Sequence, residues 1–258
     1  MSFGPKAWLQ AHWDARAALN FMLGGTGSGL MIAAALATPD SRLPVLLSLA
    51  LVAAGLAAVW LEIGRKLRAV NVFFNPFTSW MTRESFAAVL LLALGAGALW
   101  RPQWFLPAAA AAALVFVWCQ GRILRASKGI PAWRAPQVGL LIVSTSLAEG
   151  AGLCLLFTTA PLLLAWFGLA LLLRAIAWTR YAAAVRSTAL EAPGKALLQL
   201  GTVAALALAF AGYWVPAAAP LAGAAAIATG LWLKFALVTR ASINQGFALP
   251  HLPVRGSR

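Results

Sequence analysis

The sequence predicts an all-α membrane protein, a bundle of eight transmembrane helices with both termini on the inner side. Three observations carry this. The 258 residues are 62% hydrophobic and only 10% charged, a balance foreign to soluble globular domains. Eight continuous apolar stretches can be marked, most close to the ~20 residues that a hydrocarbon core of ~30 Å requires. The basic residues alternate between connections. Lys6 and Arg16 precede the first stretch, and Arg65, Lys66, Arg68 and Arg83 lie between the second and third. Arg122, Arg125, Lys128 and Arg134 lie between the fourth and fifth, and Arg174, Arg180, Arg186 and Lys195 around the sixth-to-seventh connection. Lys234, Arg240, Arg255 and Arg258 belong to the C-terminal end, and the other connections hold only Arg42 and Arg101. Eighteen of the 20 Lys and Arg residues thus fall on one side, and positive charge is retained on the cytoplasmic side. The net charge of +14 follows from this sidedness beside anionic lipid, so no nucleic-acid partner is expected.

The spans read, in order, as Ala17–Ala37, Leu43–Leu61, Ser85–Trp100, Trp104–Leu124, Gln137–Phe157, Pro161–Tyr181, Lys195–Val215 and Ala218–Val238. Their apolar runs are continuous, whereas the strands of a membrane barrel alternate, so helices are the consistent choice. In the first span, Gly25 and Gly29 stand four apart and share a helix face, where small residues allow close approach of a neighbouring helix or a flat ligand. The third span is short and is expected to begin inside the polar connection before it. The outer connections, such as Arg101-Pro102-Gln103 and Pro216-Ala217, are too tight for an external domain. Trp8, Trp13, Trp80, Trp100, Trp104, Trp133 and Trp214 sit near span ends, as an interfacial belt would. The N-terminal twenty residues lack the pattern of a cleavable signal. Past about Ser242, Gly246, Pro250, Pro253 and Gly256 stop any helix. The segment 243–258 is therefore expected as a non-helical tail against the membrane face or a partner. Residues 1–258 form one integral membrane domain without an internal repeat.

Chemistry can be sought in few places. Cys119 and Cys154 lie inside apolar segments and cannot ligate an iron–sulfur cluster. The two histidines, His12 and His251, lie near the termini, so no haem held by facing histidines, and no metal, is expected in this chain. The connection from Glu62 to Glu84 stands out. It interleaves basic groups, two carboxylates, Asn71, Asn75 and aromatics, a composition suited to stacking on an amphipathic ring, donating to its carbonyls and relaying protons. Glu62, Arg65, Asn71, Trp80 and Arg83 are its candidate residues, with Lys66 and Arg68 facing a partner. Arg122, Arg125 and Arg255 join the candidate docking set. Glu149 falls ~18 Å into the fifth span at 1.5 Å per residue. A carboxylate there costs at least ~2.5 kcal/mol unless neutral or paired, and Arg174 is the nearest candidate counter-ion by position. Glu149 is therefore either a buried, paired acid or a further candidate for a proton path or quinone-headgroup contact; a midplane Glu149/Arg174 site would suit a small-solute transporter, the alternative reading.

The residues Glu62-Ile63-Gly64-Arg65, followed by Asn71, Pro76, Thr78-Ser79-Trp80-Met81 and Arg83-Glu84, resemble the inner-loop signature of the membrane anchors of dimethyl-sulfoxide-reductase-type (DmsC) molybdoenzymes. These anchors are related to the NrfD/polysulfide reductase type. The stretch Trp13-Asp14-Ala15-Arg16-Ala17-Ala18-Leu19-Asn20-Phe21 with its glycine run, and Asn244-Gln245-Gly246-Phe247-Ala248-Leu249-Pro250, are similar to anchors of phenylacetyl-CoA:acceptor oxidoreductase. The resemblance implies a multi-pass anchor in the bacterial inner (cytoplasmic) membrane that binds a quinone, ubiquinone or menaquinone. It also implies partners: an iron–sulfur electron-transfer subunit and a molybdopterin catalytic subunit, which carry the iron–sulfur clusters and the molybdenum chemistry. Many members carry a His where this chain has Glu62, and a Pro where it has Lys66. Because the motif loop lies on the basic side, the catalytic module is expected in the cytoplasm, acting on a substrate such as an acyl-CoA or sulfite.

Overall fold

The structure, a computed structural model, describes residues 8–10, 12–63 and 65–245. Lys6, Gly64, His251, Arg255 and all of the 243–258 tail beyond Gln245 lie outside the described residues. The described chain is helical, with no strand among the described residues. Its helices are α1 (Ala15–Ala37), α2 (Arg42–Glu62), α3 (Trp80–Trp100), α4 (Pro102–Ala126), α5 (Val138–Cys154), α6 (Pro161–Ala184), α7 (Thr188–Ala211) and α8 (Ala218–Thr239). Seven of these are long and apolar enough to cross a membrane; α5 is apolar but has only 17 residues. One-turn helix Pro131–Arg134 precedes α5, and 3₁₀ turns over Lys66–Phe74 fill part of the connection between α2 and α3.

Local chemistry sets the helix starts. Asp14 caps α1, accepting from the Arg16 amide at 2.7 Å, and its ion pair with Arg16 holds its carboxyl below the usual range. Ser79 caps α3 by accepting from the Thr82 amide. This cap moves the start of the third helix from the expected Ser85 back to Trp80, so the irregular connection ends at Ser79 and Glu84 belongs to the first turns of α3. Proline stands at the first position of α4 and α6, where its missing amide hydrogen costs nothing. The seventh helix also starts early, at Thr188, with the exposed Glu191 in its first turn. There the carboxylate faces the positive end of the helix dipole.

The short helix α5 is the axis of the bundle, packed against α1, α4, α6 and α8. Three of its glycines meet glycines of its neighbours. A Cβ on Gly29 of α1 would collide with the Ser146 carbonyl, and a Cβ on Gly150 would collide with the backbone of Gly29 and Leu30. A Cβ on Gly223 of α8 would strike the Gly152 carbonyl. One on Gly121 of α4 would lie 2.7 Å from the Gly139 Cα. Between membrane helices apolar burial gives little drive, so this close backbone approach is what holds them. On the face that Gly25 and Gly29 share, Gly29 serves this purpose, whereas Gly25 leaves room for the Ser146 and Lys234 side chains.

The helix ends are tied together. The Gln10 amide donates to the Ser242 carbonyl (3.1 Å) and the Asn244 amide to the Trp8 carbonyl (2.8 Å). The start of the expected tail therefore pairs with the segment before α1. Of the anticipated tryptophan belt, Trp8, Trp100, Trp104 and Trp214 are exposed. Trp133 is not part of it: it is buried, its indole donates to the Leu237 carbonyl at 2.8 Å, and its ring stacks on Trp13.

The glycine contacts make a testable contrast. Gly29→Ala is expected to lower stability by about 3 kcal/mol through backbone collision. Gly139→Ala, whose Cβ would meet nothing within 4 Å, is expected to melt like the wild type. Thermal denaturation in detergent, followed by size-exclusion chromatography, checks both.

Candidate functional site

Where the connection after α2 meets the start of α1, a pocket of about 230 Å³ opens. Its walls are largely apolar, formed by Trp13, Phe21, Ile63, Met81 and Ile123 among others, and its polar lining comes from His12, Glu62, Asn20 and Glu84. Gln10 shapes the entrance: its side-chain oxygen accepts from the amides of His12 and Trp13 at 2.9 and 2.8 Å. Glu62, the last residue of α2, is partly exposed, whereas Glu84 is buried.

Beneath the pocket lies a cluster of amides around Glu84. The Asn20 side-chain amide donates to Glu84 Oε1 at 3.0 Å, and the Gln120 amide donates to the Asn20 carbonyl at 3.0 Å. Asn20 opens a π-helical turn, Asn20–Gly24, within α1. The wider turn exposes a backbone carbonyl, which Gln120 satisfies, and aims the Asn20 side chain across at α3. Such single π turns concentrate at functional positions. Gly24 and Gly55 leave the room: a Cβ on either would press against Asn20 Oδ1, at 3.2 and 3.3 Å.

The expected site residues divide. Glu62 lines the pocket. Trp80 does not; its ring is sandwiched between the guanidinium groups of Arg83 (4.2 Å) and Arg122 (4.5 Å). Arg83 turns back on its own connection, donating to the carbonyls of Pro76 (2.8 Å) and Phe77 (2.7 Å). With the Thr82 hydroxyl donating to the Val72 carbonyl (2.5 Å), it staples the loop rather than facing a ligand. Arg65 and Asn71 are exposed and away from the pocket lining. Among the expected docking residues, Arg68 and Arg125 are exposed and Lys66 is exposed over the Trp60 ring. Arg122 is half-buried against Trp80 and Trp118, and Arg255 lies outside the described residues.

Glu149 is fully buried, and its counter-ion is not the expected Arg174 but Lys234 of α8. Lys234 Nζ donates to Glu149 Oε2 at 2.6 Å and to the Ser146 hydroxyl at 3.0 Å, and the Thr26 hydroxyl donates to the same carboxylate oxygen at 2.7 Å. Lys234 therefore does not belong with the charges at the helix ends; it is 1% exposed. Arg174, also buried, donates to the carbonyls of Ala226 (2.9 Å) and Gly201. Gly201 sits in a second π-helical turn, Gln199–Ala204 of α7. The guanidinium again satisfies a carbonyl that a widened turn presents. Position along a span could suggest a partner for Glu149, but not which neighbouring helix supplies it.

No protein-family model matches the chain, and no curated protein matches it in sequence. The site therefore rests on its geometry: an apolar-walled pocket beside a basic loop, a carboxylate at its rim and another held by amides at its base. Sequence reasoning missed His12, Trp13, Asn20 and Gln120 as pocket or base residues and left Glu84, though inside the motif, out of the candidate set. Gln120 and Lys234 did leave a signal, as polar side chains inside marked apolar spans.

Because Arg83 acts as a staple, Arg83→Ala is expected to speed backbone amide exchange across Asn75–Ser79 roughly tenfold or more, from loss of charge-assisted hydrogen bonds worth about 1.5–3 kcal/mol each. Hydrogen–deuterium exchange read by mass spectrometry checks this. Unchanged exchange there would show that the loop is held by other contacts.

Proposed function

We propose that this chain is the quinone-reactive membrane anchor of a molybdopterin and iron–sulfur oxidoreductase, crossing the bacterial inner membrane eight times with both termini inside. The observation that carries the reading is the pocket. Its volume, about 230 Å³, is below the ~300–1,000 Å³ of sites that engulf whole drug-sized ligands. That suits a ring headgroup whose apolar tail remains in lipid. Trp13 and Phe21 offer flat apolar contact; His12, Glu62 and the Asn20–Glu84 pair offer groups that exchange hydrogen bonds with ring carbonyls. The unpartnered buried Asn20 Oδ1 and Gln120 Oε1 are further acceptors at its base. A bound quinone supplies two-electron chemistry coupled to two protons. The residues of this chain would orient the ring, exclude water from its apolar side and hold protons at the Glu62 and Glu84 carboxyl oxygens.

The docking part of the reading rests on exposed Lys66, Arg68 and Arg125 near the same end as the pocket. They would face an acidic iron–sulfur subunit, which in turn holds the molybdopterin subunit. The basic connections support a cytoplasmic position for that module, where an acyl-CoA or sulfite would be reached. Seventeen residues suffice for α5 to cross as the eighth span because it is enclosed by other helices, not by lipid on all sides.

Three experiments test this. Tagged protein extracted in mild detergent is expected to bring iron and molybdenum with it in metal analysis; metal-free protein that is fully active without partner chains would sink the proposal. A soluble quinone analogue is expected to quench tryptophan fluorescence. Trp13→Phe should remove most of the quench, and Glu84→Gln should weaken binding by about tenfold, the scale of one lost hydrogen bond to a charged group. Cysteine labelling of the connection after α2 in intact spheroplasts checks sidedness, and reaction from outside would place the module on the other face.

A further inference from the structure

Four charged side chains are buried among the described residues: Glu84, Glu149, Arg174 and Lys234. With all four ionised they sum to zero. Isolated charge in a membrane interior is costly, so groups there pair or neutralise. Zero is reached in two further ways, with the proton of Lys234 moved to Glu149 or to Glu84. The three arrangements differ only in where one proton sits.

Geometry brings the Lys234 ammonium and the amides that hold Glu84 against two successive residues of α1. A Cβ on Gly24 would lie 3.1 Å from the Gln120 amide nitrogen and 3.2 Å from Asn20 Oδ1, within the Glu84 cluster. A Cβ on the next residue, Gly25, would lie 2.6 Å from Lys234 Nζ and 2.5 Å from the Ser146 hydroxyl. The last residue of the π-helical turn and the residue after it thus each touch one of the two clusters. Thr26 adds a hydroxyl with two alternatives. Its oxygen is 2.7 Å from Glu149 Oε2 and 2.8 Å from the carbonyl of Met22, inside that turn. It donates to Glu149 when the carboxylate is ionised, and can accept from the acid while donating to Met22 when it is not. Glu149 Oε1 and the Thr145 hydroxyl have no partner.

We propose that Glu84, Glu149, Lys234 and Arg174 form one electroneutral set that shuttles a single proton between the Lys234 amine and the Glu84 carboxylate across Gly24–Gly25, charging the pocket acid from the membrane core. The balance is closed: the N–H bond of the ammonium breaks, the carboxyl O–H bond forms, Arg174 keeps its charge and the set remains neutral. Other titratable groups face these four. Glu62 and His12 share the pocket with Glu84, and Cys119 of α4 lies within electrostatic reach of Glu84; the Glu149–Lys234 pair is met by the Thr26 and Ser146 hydroxyls, which do not titrate. The use assigned to the exchange rests on the quinone reading; the exchange itself does not.

The test is infrared spectroscopy of the protonated-carboxyl stretch on the purified native assembly at neutral pH, without added quinone. The band is assigned by its loss in Glu84→Gln. Lys234→Met removes a cation from the set, and the Glu84 band is expected to grow, about twofold if the wild type is evenly divided. Glu149→Gln removes an anion, and the band is expected to fall. The double variant retains Arg174 as the sole buried cation, and its band is expected to fall as well. Opposite signs from Lys234→Met and Glu149→Gln would not arise from loosened packing. If Lys234→Met does not fold, the falls in the other two carry the same content. An unchanged band in the variants that fold, or a shift of the same sign in Lys234→Met and the double variant, would overturn the proposal. Loss of quinone quenching with these responses intact would remove the ring-binding reading and leave the exchange supported.

Discussion

The crossing of α1 over α5, glycine against glycine, is the constraint on which the rest of the molecule depends. Only where both helices lack a Cβ can the backbones of Gly29 and Gly150 meet. That approach decides what reaches what. It brings the Thr26 hydroxyl of α1 to the Glu149 carboxylate of α5. The space beside Gly25 admits the ammonium of Lys234, and the space beside Gly230 admits the second oxygen of Glu149. A lone carboxylate at this depth would be unfavourable by several kcal/mol. Close packing therefore precedes the ion pair in the causal order: the small residues set the separation at which a 2.6 Å contact can form between α5 and α8.

Two π-helical turns spread this logic through the bundle. A regular helix uses its own carbonyls and offers nothing to its neighbours. Each widened turn releases one. In α1 the Asn20 carbonyl accepts from Gln120, and in α7 the Gly201 carbonyl accepts from Arg174. The first also turns Asn20 toward Glu84 and so builds the base of the pocket. The second anchors a guanidinium that would otherwise compete with Lys234 for Glu149. Irregular backbone inside a membrane protein is tolerated where other protein groups satisfy it, and both turns meet that condition.

The helical class, the apolar spans and the early start of α3 were legible in the sequence because each follows from local properties: hydropathy, turn residues and the Ser79 cap. So was the close approach at Gly29, whose spacing from Gly25 puts both on one face, although which neighbour each meets was not. The partners of buried charges were not. Arg174 and Lys234 both lie inside apolar spans, and which of them meets Glu149 depends on helix rotation and on the neighbour of α5, neither of which a linear pattern encodes. The pocket was half legible. Glu62 was found through its motif, but His12 and Trp13 come from the segment before α1 and Gln120 from α4. Arg65 and Asn71, attractive by composition, sit on an exposed 3₁₀ stretch instead.

The buried cations also refine the meaning of the charge pattern. Arg174 and Lys234 were counted with the basic residues of alternate connections, yet both lie in the core with named partners. Removing them leaves sixteen such residues against Arg42 and Arg101, so the asymmetry that supports both termini inside does not depend on them. What they do instead is balance Glu84 and Glu149. Positive charge thus has two separate tasks in this chain. At the loop ends it is solvated and free to meet lipid or an acidic partner. In the core it is held by carbonyls and one carboxylate. The pocket lies between these two populations, with Glu62 toward the first and Glu84 toward the second. That position is what a site needs if electrons arrive from the loop side while protons are settled from within the bundle.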